Sequence, residues 1–459
     1  MASLAKADGQ ERGGERVTTP RRAALLVLAL MLALTLSFID RQILALLVEP
    51  IKAELRIDDT RFGVLQGTAF ALFYIGFGIP LGRLADRGSR RNLIIAGIIL
   101  WSLTTMACGT ASSFAALFAW RAGVGIGEAA LSPAAYSMIT DVVPKRNLSL
   151  ALGVYNMGVY LGSGLALLVG GALLHWLKTA DLSALAFLPS AAPWRVVFLC
   201  VGIPGLVVAI GFSFIREPRR TDFDVSAETA MPSIGETARF IVSERRLFAS
   251  LVLGFACHNS SLYALLNWIP AFLGRHHHLM PAHVGLLLGV STLIGGGVGL
   301  IGGGMLSDRL FAAKRGDAPL IVGMIGSVGI ALGTLLTVGA PSPQLAATAF
   351  AFLIMAVALP IGSASAALQL VVPNRFRGQV SAFYLVSISL AGLTIGPIVP
   401  PLISDHLFHD PSRIGQAVAV TVVGAAMLSI ILFLIGRPAY ARRYAAIHLT
   451  PRAQQETSL

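Results

Sequence analysis

The chain has 459 residues, of which 55% are apolar and only 13% charged, and its mean hydropathy is +0.75. Soluble domains carry about twice that share of charge, so a soluble globular enzyme is excluded; without a Gly-X-Y period or a low-complexity run, fibrous and disordered classes go as well. The formal net charge of +12 would suit a nucleic-acid partner, but its placement along the chain argues otherwise.

Windows of about 20 mostly apolar residues, the length that crosses hydrocarbon as a helix, recur along the whole chain. The predicted spans are 24–48, 62–82, 92–111, 114–138, 147–175 and 195–215, then 247–272, 283–306, 318–338, 345–371, 379–404 and 416–436. Of the 35 Lys and Arg residues, 26 fall in the segments on the N-terminal side of these spans and 7 on the opposite side. That bias places both termini in the cytoplasm of a multi-pass protein, of the bacterial inner-membrane kind. The positive charge then faces anionic lipid, and no nucleic-acid partner is expected. Residues 1–22 have no apolar core of their own, so the first span is expected to stay as an uncleaved anchor. Cys108, Cys200 and Cys257 all fall inside predicted helices, which argues against a disulfide framework.

The chain repeats itself. Val142-Val143-Pro144-Lys145-Arg146 recurs as Val371-Val372-Pro373-Asn374-Arg375, and Gly82-Arg83-Leu84-Ala85-Asp86-Arg87 as Gly304-Met305-Leu306-Ser307-Asp308-Arg309. The expected fold is an all-α polytopic membrane protein of two pseudo-symmetric six-helix bundles, 23–215 and 247–436. A cytoplasmic tail (1–22), a cytoplasmic linker (216–246) and a second tail (437–459) flank them. Within the linker, Ser233 to Ser243 is predicted to form a surface helix. Paired bundles of this kind are an architecture of alternating-access transport.

These features resemble the major facilitator superfamily. Gly82-Arg-Leu-Ala-Asp86-Arg87-Gly-Ser-Arg90-Arg91 is similar to its signature between helices two and three. Arg121-Ala-Gly123-Val-Gly125-Ile-Gly127-Glu128-Ala is similar to its fourth-helix signature. Within the superfamily, Ser37-Phe38-Ile39-Asp40-Arg41 and Gly125-Ile-Gly127-Glu128-Ala129 resemble the spinster family, which is associated with lysolipid and sphingolipid transport. The fifth helix departs from the antiporter signature: Gly162-Ser163-Gly164 stands where that signature carries Gly-Pro. The resemblance therefore implies a transporter, not a standard drug/proton antiporter.

Asp40, Arg41, Arg121 and Glu128 lie deep in predicted spans, where charge is costly and normally faces a cavity or a partner. At 1.5 Å per residue, Asp40 and Arg121 both sit about 10–12 Å below the outer surface, so the two could pair. Glu128 follows Arg121 by two turns, near the midplane. One reading makes Asp40 and Glu128 proton carriers, with Arg121 as the switchable partner and the proton as the coupling ion. The other makes them permanent pairs that hold helices one and four together. The resemblance carries a conformational latch onto Gly82, Asp86, Arg87 and Arg90, with Asp308 and Arg309 as a weaker second copy; the alternative is ordinary positive-inside residues. The second half has no deep acid or base. Its seventh helix concentrates His258, Asn259, Tyr263 and Asn267, either a substrate wall or bonding between helices. Tyr155, Asn156 and Tyr160 in the fifth helix share that ambiguity.

His276-His277-His278 reads as an exposed loop rather than a metal site, and no cofactor is expected. No nucleophile elbow or zinc motif points to an enzyme. The chain is expected to work as a monomer in membrane lipid. Its cargo is expected to be an amphipathic lipid-like anion, with Arg41 and Arg121 suited to a phosphate or carboxylate head. A small organic anion such as a sugar acid is the alternative, and it would be expected to need a deep cation in the second half.

Overall fold

Hydrocarbon offers no partner for backbone amides, so each long apolar run closes its hydrogen bonds within a helix. The computed structural model describes residues 20–144, 147–180, 188–190, 192–218, 220 and 232–448, and within it twelve helical spans are long and apolar enough to cross a membrane. They are H1 (Pro20–Leu46), H2 (Asp59–Arg87), H3 (Arg90–Cys108), H4 (Phe114–Val142), H5 (Leu150–Leu177) and H6 (Pro193–Ser213) in the first half. The second half has H7 (Arg245–His276), H8 (Pro281–Ala312), H9 (Ala318–Val338), H10 (Pro343–Val371), H11 (Arg377–Leu407) and H12 (Pro411–Ile447). Even numbers of spans bring both ends of the described chain to one face.

Local signals start the helices where expected. The side chains of Asp58, Ser89, Ser113 and Ser342 each accept the amide three residues on, capping H2, H3, H4 and H10. The last helix runs on to His448, so the segment from 437, expected as a tail, begins as helix. Lys145 and Arg146 of the repeated motif lie outside the described residues.

The duplication is visible in the packing. H1 lies on H5, H2 on H4, and H3 on H4 and H6; H7 lies on H11, H8 on H10, and H9 on H10 and H12. The halves meet along two seams, H5 against H8 and H2 against H11. At the first seam a Cβ added to Gly285 would stand 2.1 Å from the Leu167 carbonyl oxygen, so only glycine admits this approach. Within the linker, Ile234–Ser243 forms a helix with a full capping box between Ser233 and Glu236. Its Phe240 stacks on Phe376 with centroids 4.7 Å apart, docking the linker onto the second half.

Matching breaks interrupt H4 and H10. The first helical segment of H4 ends at Glu128 and the next begins at Leu131; in H10 the segments end at Ala358 and resume at Ile361, across Pro360. H1 also changes character, leaving α-helix after Gln42 for a 3-10 turn, Ile43–Leu46. Both breaks in the first half lie beside the buried charges.

Candidate functional site

Close backbone packing brings Glu128 to the middle of the first half. A Cβ on Gly125 would lie 2.5 Å from the Phe70 carbonyl of H2, and one on Gly127 would lie 2.6 Å from the Trp101 amide of H3. These glycines let H4 press against both neighbours, and Glu128 emerges at the helix break facing H1.

There Arg41 Nε donates to Glu128 Oε2 at 2.6 Å, and Ser37 Oγ donates to the same oxygen at 2.5 Å. The second oxygen, Glu128 Oε1, is buried with no hydrogen-bond partner. The Arg41 guanidinium lies 4.8, 4.5 and 4.8 Å from the ring centroids of Phe38, Phe70 and Tyr74, and such faces attract a cation more strongly when water is scarce. Its side chain keeps 12% of its surface exposed while that of Glu128 keeps none. From the second half, Tyr263 comes within interaction distance of Arg41.

Asp40 and Arg121 are buried beside this pair. Arg121 Nη1 reaches the backbone carbonyl of Asp40 at 3.5 Å, its Nε has no partner, and Phe70 lies under its guanidinium. No carboxylate–guanidinium pair joins Asp40 to Arg121 among the described residues; the pair that forms is Arg41–Glu128. Arg41, one residue on, projects about 100° round the helix from Asp40 and meets H4 at Glu128. Two acids and two cations thus share one buried cluster.

The structure divides the other predicted wall residues. Tyr136 donates to Asn156 Oδ1 at 3.3 Å and packs edge-on against Tyr155, which places this trio beside Tyr74 near Arg41. Tyr160 lies instead at the H5–H8 seam against Gly296. His258 bonds the Val357 carbonyl at 2.9 Å and packs at Gly326, inside its own half. Asn259 donates to the Ile388 carbonyl of H11, and Asn267 to the Tyr263 carbonyl of its own helix. His258, Asn259 and Asn267 thus each spend one polar atom on a backbone carbonyl, the nearest partner where water is scarce. Tyr263 alone of that cluster faces the other half's charges.

The expected latch residues are also divided. Arg90 is buried, paired with Asp141, bonded to Ser137 and to the Pro218 carbonyl, and close to Glu217, all within the first half and the start of the linker. Burial pulls the Glu217 carboxyl up, but bonds from Ser89 and Arg90 outweigh it and leave the group below the usual carboxylate range. Gly82 faces Pro133, whereas Asp86, Arg87, Asp308 and Arg309 are exposed and make no ion pair between the halves among the described residues.

A second clamp, absent from the sequence reading, joins the halves on the face away from the termini. Arg275 at the end of H7 donates to both Asp59 oxygens at 2.5 and 2.8 Å, to Glu49 at 2.8 Å and to the Pro411 carbonyl. Lys52 pairs with the same Asp59. Beside it the amide and hydroxyl of Thr60 donate to Asp405 at 2.9 and 2.8 Å, and Phe62 meets Trp268 edge-on. The short helix carrying Glu49 and Lys52 is itself held by Glu54, which accepts from Ser190, Trp194 and Arg195. Burial raises the Glu54 carboxyl, and those three bonds with the Arg195 charge bring it below the ordinary range. Acidic and basic residues at the far ends of H2 and H7 were the available signal.

This architecture, a duplicated bundle closed on one face over a central charged pair, is matched by the family profile of the Major Facilitator Superfamily over residues 30–397. The chain belongs to that superfamily. It is 30% identical to an MFS-type efflux pump of Mycolicibacterium smegmatis, over 92% of this chain and 94% of that protein. It is 26% identical to the hexuronate transporter of Bacillus subtilis, over 90% and 96% of the two chains. Among solved structures it superposes on a bacterial homologue of the human lysosomal transporter spinster, in an inward-facing and unoccupied conformation. The TM-score is 0.75 at 27% identity, with 94% of this chain and all of that one covered. The protein is a membrane transporter and not an enzyme; His, Cys, Asp and Glu form no group of metal-binding size among the described residues.

Proposed function

We propose that this protein is a proton-coupled secondary transporter of an amphipathic, lipid-like anion, working as a monomer by alternating access. The observation that carries the reading is the Arg41–Glu128 pair: a part-exposed guanidinium held by a fully buried carboxylate that has one oxygen vacant. An incoming anionic head can take the open side of Arg41, while Glu128 can hold a proton. With both termini in the cytoplasm of a bacterial cell, the Arg275–Asp59 clamp seals the outer face, and the cavity opens inward. Asp86, Arg87, Arg90, Asp308 and Arg309, with Gly82 in the same loop, are then placed to latch the inner face when the outer one opens. The aromatic rings of Phe38, Tyr74 and Tyr136, with no deep charge in the second half among the described residues, suit an apolar tail.

The hexuronate transporter among its relatives supports a second reading, a small sugar acid taken by the same guanidinium. Purified protein in liposomes, given a lysolipid anion and a hexuronate under a pH gradient, tests both. Gradient-driven movement of the lysolipid supports the first reading, hexuronate movement alone supports the second, and movement of neither overturns both.

A further inference from the structure

The buried side-chain amides among the described residues are Gln42, Gln66 and Asn267. Gln42 donates to the Leu266 carbonyl and Asn267 to the Tyr263 carbonyl. Gln66 differs from both, because its Nε2 and its Oε1 are buried with no hydrogen-bond partner among the described residues. A buried donor and a buried acceptor left unmet each cost their desolvation. Packing of this conformation alone therefore does not account for a glutamine at this position.

The placement of Gln66 in H2 indicates what it serves. Phe62, Gln66, Phe70 and Tyr74 follow one another at four-residue steps and so lie close to one face of that helix. Phe62 meets Trp268 of H7 at the closed face of the bundle. Phe70 lies under the guanidiniums of Arg41 and Arg121, and Tyr74 under that of Arg41. Gln66 thus stands one turn, about 6 Å, from the shelf that carries the two cations, and one turn short of the closed face. H2 is interrupted beside it at Gly67, where an added Cβ would lie 2.5 Å from the Leu393 carbonyl of H11. That contact fixes the turn against the second half and holds the amide in place.

The chemistry of the amide selects its ligand. A hydroxyl donates one hydrogen bond and accepts others, and a glutamine side chain offers the complementary acceptor and donor. An ester or ether oxygen only accepts and would leave Oε1 unmet. From this geometry we propose that Gln66 binds a hydroxyl of the cargo while the anionic head lies on Arg41, so that the transporter selects hydroxylated anions. The proposal rests on the anion-transport reading above and narrows its cargo class. A lysolipid with a free glycerol hydroxyl and a sugar acid both satisfy it; a fully acylated phospholipid and an unsubstituted fatty acid do not.

Equilibrium binding of radiolabelled probes to the full chain in detergent tests it, with two pairs whose members differ only in their hydroxyls. One pair is oleoyl lysophosphatidate and its 2-deoxy analogue, the other galacturonate and tetrahydropyran-2-carboxylate. In the wild type, the hydroxylated member of whichever pair binds should bind at least about tenfold more tightly than its counterpart, as expected where a buried polar group would otherwise stay unpaired. In Gln66→Leu that ratio should shrink below about threefold, through loss of affinity for the hydroxylated member alone. The same variant should melt no lower than the wild type, because leucine removes two unmet groups. Gln66→Met, close to glutamine in shape, gives the same comparison if the leucine variant does not fold. Equal affinities within a pair in the wild type, or an unchanged ratio in the variants, overturn the hydroxyl site and leave the anion reading intact. Equal loss of both members shows that Gln66 serves helix packing, and overturns it as well. Binding of neither pair overturns the anion reading and this inference with it.

Discussion

Replacing Arg275 by alanine should release the closed face. In the structure this guanidinium makes two bonds to Asp59, one to Glu49 and one to the Pro411 carbonyl. The Asp59 side chain is fully buried, whereas that of Glu49 is 61% exposed, so the Asp59 bonds dominate. Removing one partner of a buried pair costs about 3–5 kcal/mol when the other charge is stranded. Asp59 is not stranded, because Lys52 remains on it. The Glu49 contact adds no more than an exposed pair does, about 0–1 kcal/mol. The net loss for the closed state is therefore about 2–3 kcal/mol, a shift of roughly 30- to 150-fold toward the form with the halves parted there. Paired spin labels on H2 and H7 at that face, read as distance distributions in lipid, measure it. Arg275→Ala should populate a longer distance and Glu49→Gln should change little. A distribution unaltered by Arg275→Ala, in a protein that folds, would show that helix packing alone closes this face.

Other substitutions separate the parts of the machinery. Arg41→Lys keeps the charge but loses the fork that reaches Glu128 while leaving an anion-binding end; transport in liposomes should fall at least tenfold, or about 1.4 kcal/mol. Gly285→Leu forces H5 and H8 apart at the Leu167 carbonyl and should lower thermal stability by several degrees in detergent, whereas Gly297→Leu, with open space around it, should not. Glu217 has a folded-state pKa below its unfolded one. Its contribution to stability is thus present above the ordinary carboxylate range and is lost as pH falls through the depressed value. Melting curves of the wild type and Glu217→Gln should converge on acidification and differ at neutral pH.

The membrane fold was legible because its cause is local. A run such as Ala23 to Leu36 has no structural option in hydrocarbon except a helix, and duplication left copies of its motifs at matching loops. The buried charges were equally visible, since each costs too much to be incidental. Their pairing was not. Depth counted at 1.5 Å per residue treats H1 as a straight rod and sets Asp40 opposite Arg121. Depth does not fix the face: Arg121 does reach the Asp40 carbonyl, but Arg41, about 100° round H1 from Asp40, is the side chain that meets Glu128. For His258 and Asn267, spacing gives a shared face but not the backbone carbonyls they bond. The Arg275 clamp depends on contacts 216 residues apart in sequence, between Asp59 and the end of H7, and no local pattern reports such a pair.

The central claim is that a proton on the Arg41–Glu128 site drives the movement of an anion. Reconstituted protein loaded with a lysolipid anion or a hexuronate should accumulate one of them under an imposed pH gradient, and the accumulation should collapse when a proton ionophore dissipates the gradient. Uptake that proceeds at the same rate and to the same level with the ionophore present would contradict it.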